Sequence, residues 1–365
     1  MLTALGKTTT FLEQVRQWII SKPAHLGLDI DNVAIVLLEL REQAGHFILE
    51  NLAIETLPKN TLKEDRIEAP SVITQLLHKT KTQFNAMTKQ VILATPANLV
   101  AIAYTRVSKY SNDEQRIRHA ATEIRNAFPE MYRDLYYDFT IVDAEPNAAQ
   151  QDENSLPLLL VAARKEEMKP RIDAVEASGL VVKILEIDYY AVERAFALIS
   201  ESLFQEKIEG DVAILNIGTA AILLVVLHEG KLAYFQRQGY DIVYLRKSTR
   251  AGLKACKEGT SMDFQPDSLE AAQEQLVMQV QQMLEGMSPN EENLKLDVAH
   301  IVLSGPCAIL PNFSTVFEEN LGIPTVVANP FVNLSLASHL NPTFVQQCAP
   351  ACLLACGLAL HGLSR

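Results

Sequence analysis

Apolar residues fall in short continuous runs in two stretches of the chain, separated by segments at helical spacing. Near the start, Phe11, Leu12, Val15, Trp18 and Ile19 share one face of a helix. Thr10 and Glu13 fit a capping box ahead of it, and Pro23 ends it. Its polar face lacks the lysines of an interfacial helix, so residues 1–25 are read as an amphipathic extension that packs on its own domain. The first strand-rich stretch follows. Leu26–Ile30, Val33–Leu40 and Phe47–Ile54 are separated by Asp31-Asn32 and Gln43-Ala44-Gly45, which predicts an antiparallel meander. A helix over 69–79 and a strand over 90–95 complete that unit.

The middle of the chain changes character. Strands are expected over 99–106, 138–142 and 156–163. A helix capped by Asn112 runs to about 126, and Phe128-Pro129 breaks it. A helix over 170–178 closes at Gly179, followed by a strand over 181–187 and a helix over 190–200. Then the opening pattern returns. Asp211–Ile217 reads as a buried strand ending in Gly218-Thr219, and 222–227 with 231–236 form a hairpin about His228-Glu229-Gly230. Helices over 239–258 and 269–284 follow, then a strand over 299–303. Ser304-Gly305-Pro306 is a turn, with a helix over 311–320, a strand over 324–328 and a last helix from Pro350 at its first position. The strand–turn–strand–strand unit near residue 26 recurs near residue 212 with almost no residue identity, which is duplication at the level of the fold.

At 365 residues the chain is long enough for about two or three domains. Hydrophobic residues make up 48% and charged residues 21%, which excludes wholesale disorder. The net charge of −12 argues against a nucleic-acid backbone binder, which needs clustered Lys and Arg. Five cysteines, Cys256, Cys307, Cys348, Cys352 and Cys356, form no disulfide framework, being odd in number in a large chain, and suit a reducing cytoplasm. The last three recur every four residues and read as small buried side chains on a helix face. No secretory h-region is expected over residues 1–10. Apolar runs such as 156–163 and 220–227 stay below the ~18 residues needed to cross a bilayer.

Three strand ends carry candidate chemistry. Asp29 ends the first strand beside a turn, where a carboxylate holds Mg²⁺ through water. Gly218 and Thr219 end the corresponding strand of the second half, where exposed N–H groups cradle phosphates. Gly305 and Pro306 follow a buried strand, where backbone approaches an adenosine closely. Glu186 and Asp188 flank one residue; each reads equally as a cleft group or as a solvated strand-end charge. No histidine pairs with a nucleophile in the pattern of a hydrolase triad.

In order along the chain, several segments resemble the PilM family, actin-like proteins of type IV pilus assembly related to the cell-division protein FtsA. They are Gly27-Leu28-Asp29-Ile30 with Leu38-Glu39-Leu40, Leu159-Leu160-Val161-Ala162-Ala163-Arg164-Lys165-Glu166, Ala177-Ser178-Gly179-Leu180 with Glu186-Ile187-Asp188, Gly322-Ile323-Pro324 with Ala328-Asn329-Pro330-Phe331, and Ala355-Cys356-Gly357-Leu358-Ala359-Leu360. The resemblance implies an α/β actin-like (ribonuclease H-like) duplicated fold with an FtsA-type insertion subdomain. It divides the chain into a first-half unit at 26–95, completed by about 187–207 and 345–365, and an inserted unit at 96–186. A second-half unit spans 208–344, with a helical insertion at about 240–297. It also implies ATP or ADP with Mg²⁺ held by Asp29, Asp31, Asn32, Asn216, Gly218, Thr219, Gly305 and Pro306.

All three nucleotide motifs are eroded. Asp31, Asn32 and Val33 stand where the family has Gly-Ser-Ser, with Val36 near its Lys. Asn216 replaces the Asp that opens the second motif, and Gly305-Pro306 replaces a Gly-Gly turn. Efficient ATP hydrolysis is therefore not expected, and nucleotide binding stays open. Of the functions the resemblance implies, a cytoplasmic adaptor peripheral to the inner membrane ranks first. It would bind the tail of a PilN-like membrane protein in a groove between first-half subdomains and contact other platform and motor proteins. An ATP-dependent switch ranks second, with an FtsA-like filament former and a small-molecule kinase behind it.

Overall fold

A computed structural model describes residues 25–84, 86–142, 154–204, 210–260, 264–287 and 296–363. The helix expected ahead of Pro23 lies outside these residues. Strands β1 (Leu26–Ile30), β2 (Ala34–Gln43) and β3 (His46–Thr56) form the expected antiparallel meander. A two-residue hairpin, β4 (Leu62–Lys63) and β5 (Arg66–Ile67), precedes the helix Pro70–Gln83 and strand β6 (Gln90–Thr95). Then come β7 (Val100–Ser108), the helix Asp113–Ala127, β8 (Leu135–Ile141), β9 (Ser155–Arg164), the helix Lys165–Ala177, β10 (Val181–Ile187) and the helix Asp188–Leu203. The second half runs β11 (Asp211–Ile217), β12 (Ala221–His228), β13 (Lys231–Gly239), helices Val243–Glu258 and Pro266–Glu285, β14 (Val298–Ser304), the helix Phe313–Leu321, β15 (Thr325–Val327) and β16 (Ser335–Leu336).

Two sheets repeat one topology. The first is ordered β10-β6-β1-β2-β3-β16, the second β15-β14-β11-β12-β13. In each, three antiparallel strands are extended by two parallel ones on the side of the first strand. The turns match as well. Asp31 N–H donates to the Ala34 carbonyl at 3.0 Å, and Gly218 N–H to the Ala221 carbonyl at 3.0 Å. The tight hairpins at Ala44-Gly45 and Glu229-Gly230 have positive φ at both central residues, which suits the right-handed twist of the strands they join. The continuous apolar runs that obscured alternation are explained by burial on both faces: every residue of 221–227 is buried.

The halves are clasped by crossing helices. A Cβ on Gly357 would lie 1.7 Å from the Ala191 carbonyl oxygen, so only glycine allows helix Leu353–His361 to approach helix Asp188–Leu203 this closely. The last helical segment is longer than expected. It runs from Pro342 to His361 through a 3-10 turn at Ala349–Cys352, with Pro350 inside that turn and not at the first position of a helix. With a mean hydropathy of 1.5 the segment is apolar enough to cross a membrane, but 72% of its most apolar window is buried within the protein. Cys348, Cys352 and Cys356 pack there against β2 and β3, and all five cysteines are buried and free of disulfides.

Between β6 and the helix Lys165–Ala177 the chain makes a separate three-stranded sheet, β7-β9-β8. The helix Asp113–Ala127 covers it, opened by a capping box in which Asn112 and Gln115 exchange two 2.9 Å bonds. Val107, Ala120, Ile124, Leu135, Leu158 and Leu160 give this unit its own core. Strand β10 and the helix Lys165–Ala177, grouped with this unit in the sequence, pack on the first sheet. β10 pairs with β6, and Thr74 Oγ1 donates to the Ala174 carbonyl at 2.9 Å. That helix starts at Lys165, five residues before Pro170. Pro170 inside it removes one hydrogen bond, to the carbonyl of the exposed Glu166.

Candidate functional site

The two matched turns meet across the cleft between the sheets. Asp29, Asp31, Asn216, Gly218 and Pro306 line one cavity, together with Arg171, Asp188 and Arg237. The Asp31 carboxylate lies 3.0 Å from where a Gly218 Cβ would stand, and it accepts hydrogen bonds from the backbone N–H groups of Asn32 and Thr219. The Thr219 amide expected to cradle a phosphate thus holds a side-chain carboxylate. Gly305 does not line the cavity. Its φ of +88° and its approach to Asn216 and Ile217, 2.6 Å from the position of a Cβ, give it a packing role at the end of β11. Asn32 contributes its amide N–H only, and its side-chain nitrogen is buried without a partner. The Gly218 carbonyl is fixed by the Tyr240 hydroxyl and, at 3.3 Å, by the Cys307 thiol.

Arg237, near the end of β13, reaches from the second half into the first. Its Nε and one terminal nitrogen donate to both oxygens of Asp65 at 2.9 and 2.7 Å, and the other terminal nitrogen to Asp188 at 3.1 Å. The three side chains are 12%, 7% and 3% exposed. Arg171, fully buried, donates to the Asp65 carbonyl at 2.5 Å. Asp65 sits in the β4–β5 turn, where Glu64 and Asp65 both take left-handed φ, of 49° and 65°. Left-handed backbone at the non-glycine Glu64 costs about 1–2 kcal/mol, aspartate tolerates it better, and three hydrogen bonds to Asp65 from Arg237 and Arg171 hold the turn in place.

Burial and the neighbouring carboxylate of Asp31 push Asp29 up to about 7. Burial likewise raises Asp188 to about 6, against the pull of Arg237. For Asp65 burial is outweighed by the Arg237 charge and its hydrogen bonds, and its carboxyl is held below the usual range. Groups with raised pKa stabilise the fold in their protonated form. That stability is present below the unfolded value near 3.8 and is lost as pH rises through 6 to 7. The unfolding free energy from urea titration is therefore expected to be higher at pH 5.5 than at pH 8, by on the order of 2 kcal/mol for Asp29. Asp29→Asn should flatten that slope; an unchanged slope in the variant would refute the assignment.

A magnesium nucleotide does not fit this arrangement. The cavity is about 20 Å³, space for roughly one water, where small-molecule sites span about 300–1,000 Å³. The Asp31 carboxylate stands at the turn a phosphate would use. Among the described residues no cluster of three or more His, Cys, Asp or Glu side chains is arranged to hold a metal ion.

The larger opening lies elsewhere. A groove of about 410 Å³ separates the three-stranded sheet from the first half. Its floor is apolar, from Leu99, Val100, Phe128, Met131 and Leu135, and its rim carries Asn98, Arg66, Arg164 and Glu167. Arg66 pairs with Glu167 at 2.8 Å and Arg164 with Glu166 at 3.2 Å. Of the two carboxylates weighed in the sequence, Asp188 is the cleft residue. Glu186 is buried away from the cavity, bonded to Arg194 at 2.7 Å and His361 at 2.7 Å. Sequence reasoning missed Arg237, Asp65 and Arg171. Regular pairing from the Glu229-Gly230 turn would set Gln236 opposite Leu223; a register shift at Val226-Leu227 puts Arg237 there instead, so no sequence signal marked it.

Paired sheets of this topology, clasped about a central cleft, with a small subdomain inserted in the first half, define an actin-like fold. The family model for type IV pilus assembly protein PilM matches residues 27–363. The chain belongs to the PilM family. Among solved structures, a PilM-PilN type IV pilus biogenesis complex is similar at 18% identity and a TM-score of 0.70, covering 94% of this chain and all of that one. The ethanolamine utilization protein EutJ from Carboxydothermus hydrogenoformans is similar at 15% identity and a TM-score of 0.50, with 95% and 93% covered.

Proposed function

We propose that this chain is a nucleotide-independent adaptor of type IV pilus assembly that takes the cytoplasmic tail of a PilN-like membrane protein in the groove beside the three-stranded sheet. The observation that carries this reading is the contrast between the two openings: about 20 Å³ of charged cleft against about 410 Å³ of apolar-floored groove. Family membership and the likeness to a PilM-PilN complex support the partner. An apolar floor with a charged rim suits an extended peptide, whose side chains supply affinity and whose ends meet the rim. The net charge of −12 assists encounter with a basic tail. Working there, the protein is cytoplasmic and peripheral to the inner membrane, and its nucleotide site is degenerate.

The test is calorimetric titration of a synthetic PilN-like tail, with and without Mg²⁺ and ATP, alongside thermal unfolding. Saturable binding is expected, with the same affinity in both conditions. Millimolar ATP is expected to stabilise the fold by no more than about 0.4 kcal/mol, the gain at a ligand concentration equal to its dissociation constant. A second reading, the ATP-dependent switch, is favoured by one observation: Asn216 and Gly218 still line the cavity. A large Mg²⁺-dependent upward shift in melting temperature would establish it in place of the first.

A further inference from the structure

We propose that the ion-pair latch across the cleft and the groove are one coupled device, so that Arg237 of the second half holds the groove in its binding shape. The proposal rests on the reading of the groove as the tail site. Three connections link the two places, each one residue or one helical turn long. In the β4–β5 hairpin, the Asp65 carboxylate takes Arg237 while the next residue, Arg66, forms the groove rim. In the turn Ala97–Leu99, the Ala97 N–H faces Asp188 and the Asn98 side chain faces Asp65, while Asn98 and Leu99 line the groove. In the helix Lys165–Ala177, Arg171 donates to the Asp65 carbonyl, and one turn earlier Glu167 pairs with Arg66 at the rim.

Leu62 and Ile67 anchor the hairpin's strands on the first-half core, and its turn is held by polar contacts. Its strands are two residues each, and both turn residues are in left-handed backbone, which glutamate rarely adopts and aspartate adopts more readily. A strained turn persists where surrounding contacts over-determine it, and here those contacts come from Arg237 and Arg171. Releasing the latch frees Arg66 and Asn98 together and costs the groove its preorganisation. By reciprocity, a ligand that fixes the rim tightens the latch. In an actin-like fold whose cleft has no room for a nucleotide, this gives the closure of the two halves a different input: occupancy of the groove.

The experiment compares tail affinity in the full chain and three variants. Asp65→Asn and Asp188→Asn weaken the latch without removing a groove-lining side chain. Glu55→Gln breaks the Lys257–Glu55 pair, another ionic tie between the halves that touches no groove residue. Five- to twentyfold weaker tail binding is expected for the first two and less than twofold for the third. Wild-type affinity in both latch variants, or equal loss in all three, would overturn the coupling. Hydrogen exchange over residues 62–67 and 165–168 is measured in the same proteins without peptide. Faster exchange in Asp188→Asn but not in Glu55→Gln is expected, and unchanged exchange would overturn the coupling. If wild-type protein binds no tail, the groove's assigned role fails, and the exchange result alone decides the coupling.

Discussion

Replacing Arg237 by alanine is expected to destabilise the fold by about 3–5 kcal/mol, more than any single surface charge in the molecule. The reason is asymmetry. The guanidinium neutralises two carboxylates, Asp65 and Asp188, that are 7% and 3% exposed. Remove it, and both remain in a space that already raises Asp29 and Asp31. The ion pair itself is a weak source of net stability, because its desolvation offsets its attraction. A triple variant, Arg237→Met with Asp65→Asn and Asp188→Asn, should therefore recover much of what Arg237→Ala loses. Removing the half-exposed Arg41, paired with Glu50 at 31% and 18% exposure, should cost no more than about 1 kcal/mol. Urea unfolding of the four proteins at pH 7.5 checks the ordering. A loss below about 1 kcal/mol for Arg237→Ala would mean that the halves are not latched through this residue.

The contrast between Arg237 and Asp29 shows what the sequence carried and what it did not. Asp29, Asp31, Asn216, Gly218 and Pro306 were legible because each stands at or just beyond the end of a buried apolar run, and strand ends in a duplicated fold meet at the cleft. Strands β6, β10 and β11 were placed to the residue, since their runs are bounded by turn residues. Arg237 and Asp65 were not legible. Lys63-Glu64-Asp65-Arg66 is a run of charges in a turn, and such runs are solvated by default. Only its partner, 172 residues further on, makes Asp65 a buried group. The groove was invisible for a related reason: its lining comes from residues near 66, 98, 130 and 164, and no single segment of them is periodic or rich in glycine. The segment Pro342–His361 misled in the other direction. Pro350 looked like a helix start, but a 3-10 turn absorbs it within a longer helical run that the core selects for its small side chains.

Met131→Asp is expected to weaken tail binding by at least thirtyfold while leaving the unfolding free energy within about 0.5 kcal/mol of wild type. Met131 is half-buried on the groove floor, beside Phe128 and Leu135. Leu135 and, in part, Phe128 belong to the core of the three-stranded unit, whereas Met131 does not. Its carboxylate replacement therefore meets water in the free protein and an apolar peptide side chain in the complex. Burying an ionised group against that side chain supplies the loss, a factor of thirty being about 2 kcal/mol. Glu167→Lys reverses one rim charge and frees Arg66 from its 2.8 Å partner. For a basic tail it should weaken binding less, by about three- to tenfold, with an effect that shrinks as salt is raised. Fluorescence anisotropy of a labelled tail at two ionic strengths separates the cases. If Met131→Asp binds normally, the tail does not lie on this floor. If only the Glu167→Lys effect survives, the peptide touches the rim and the apolar groove serves another partner.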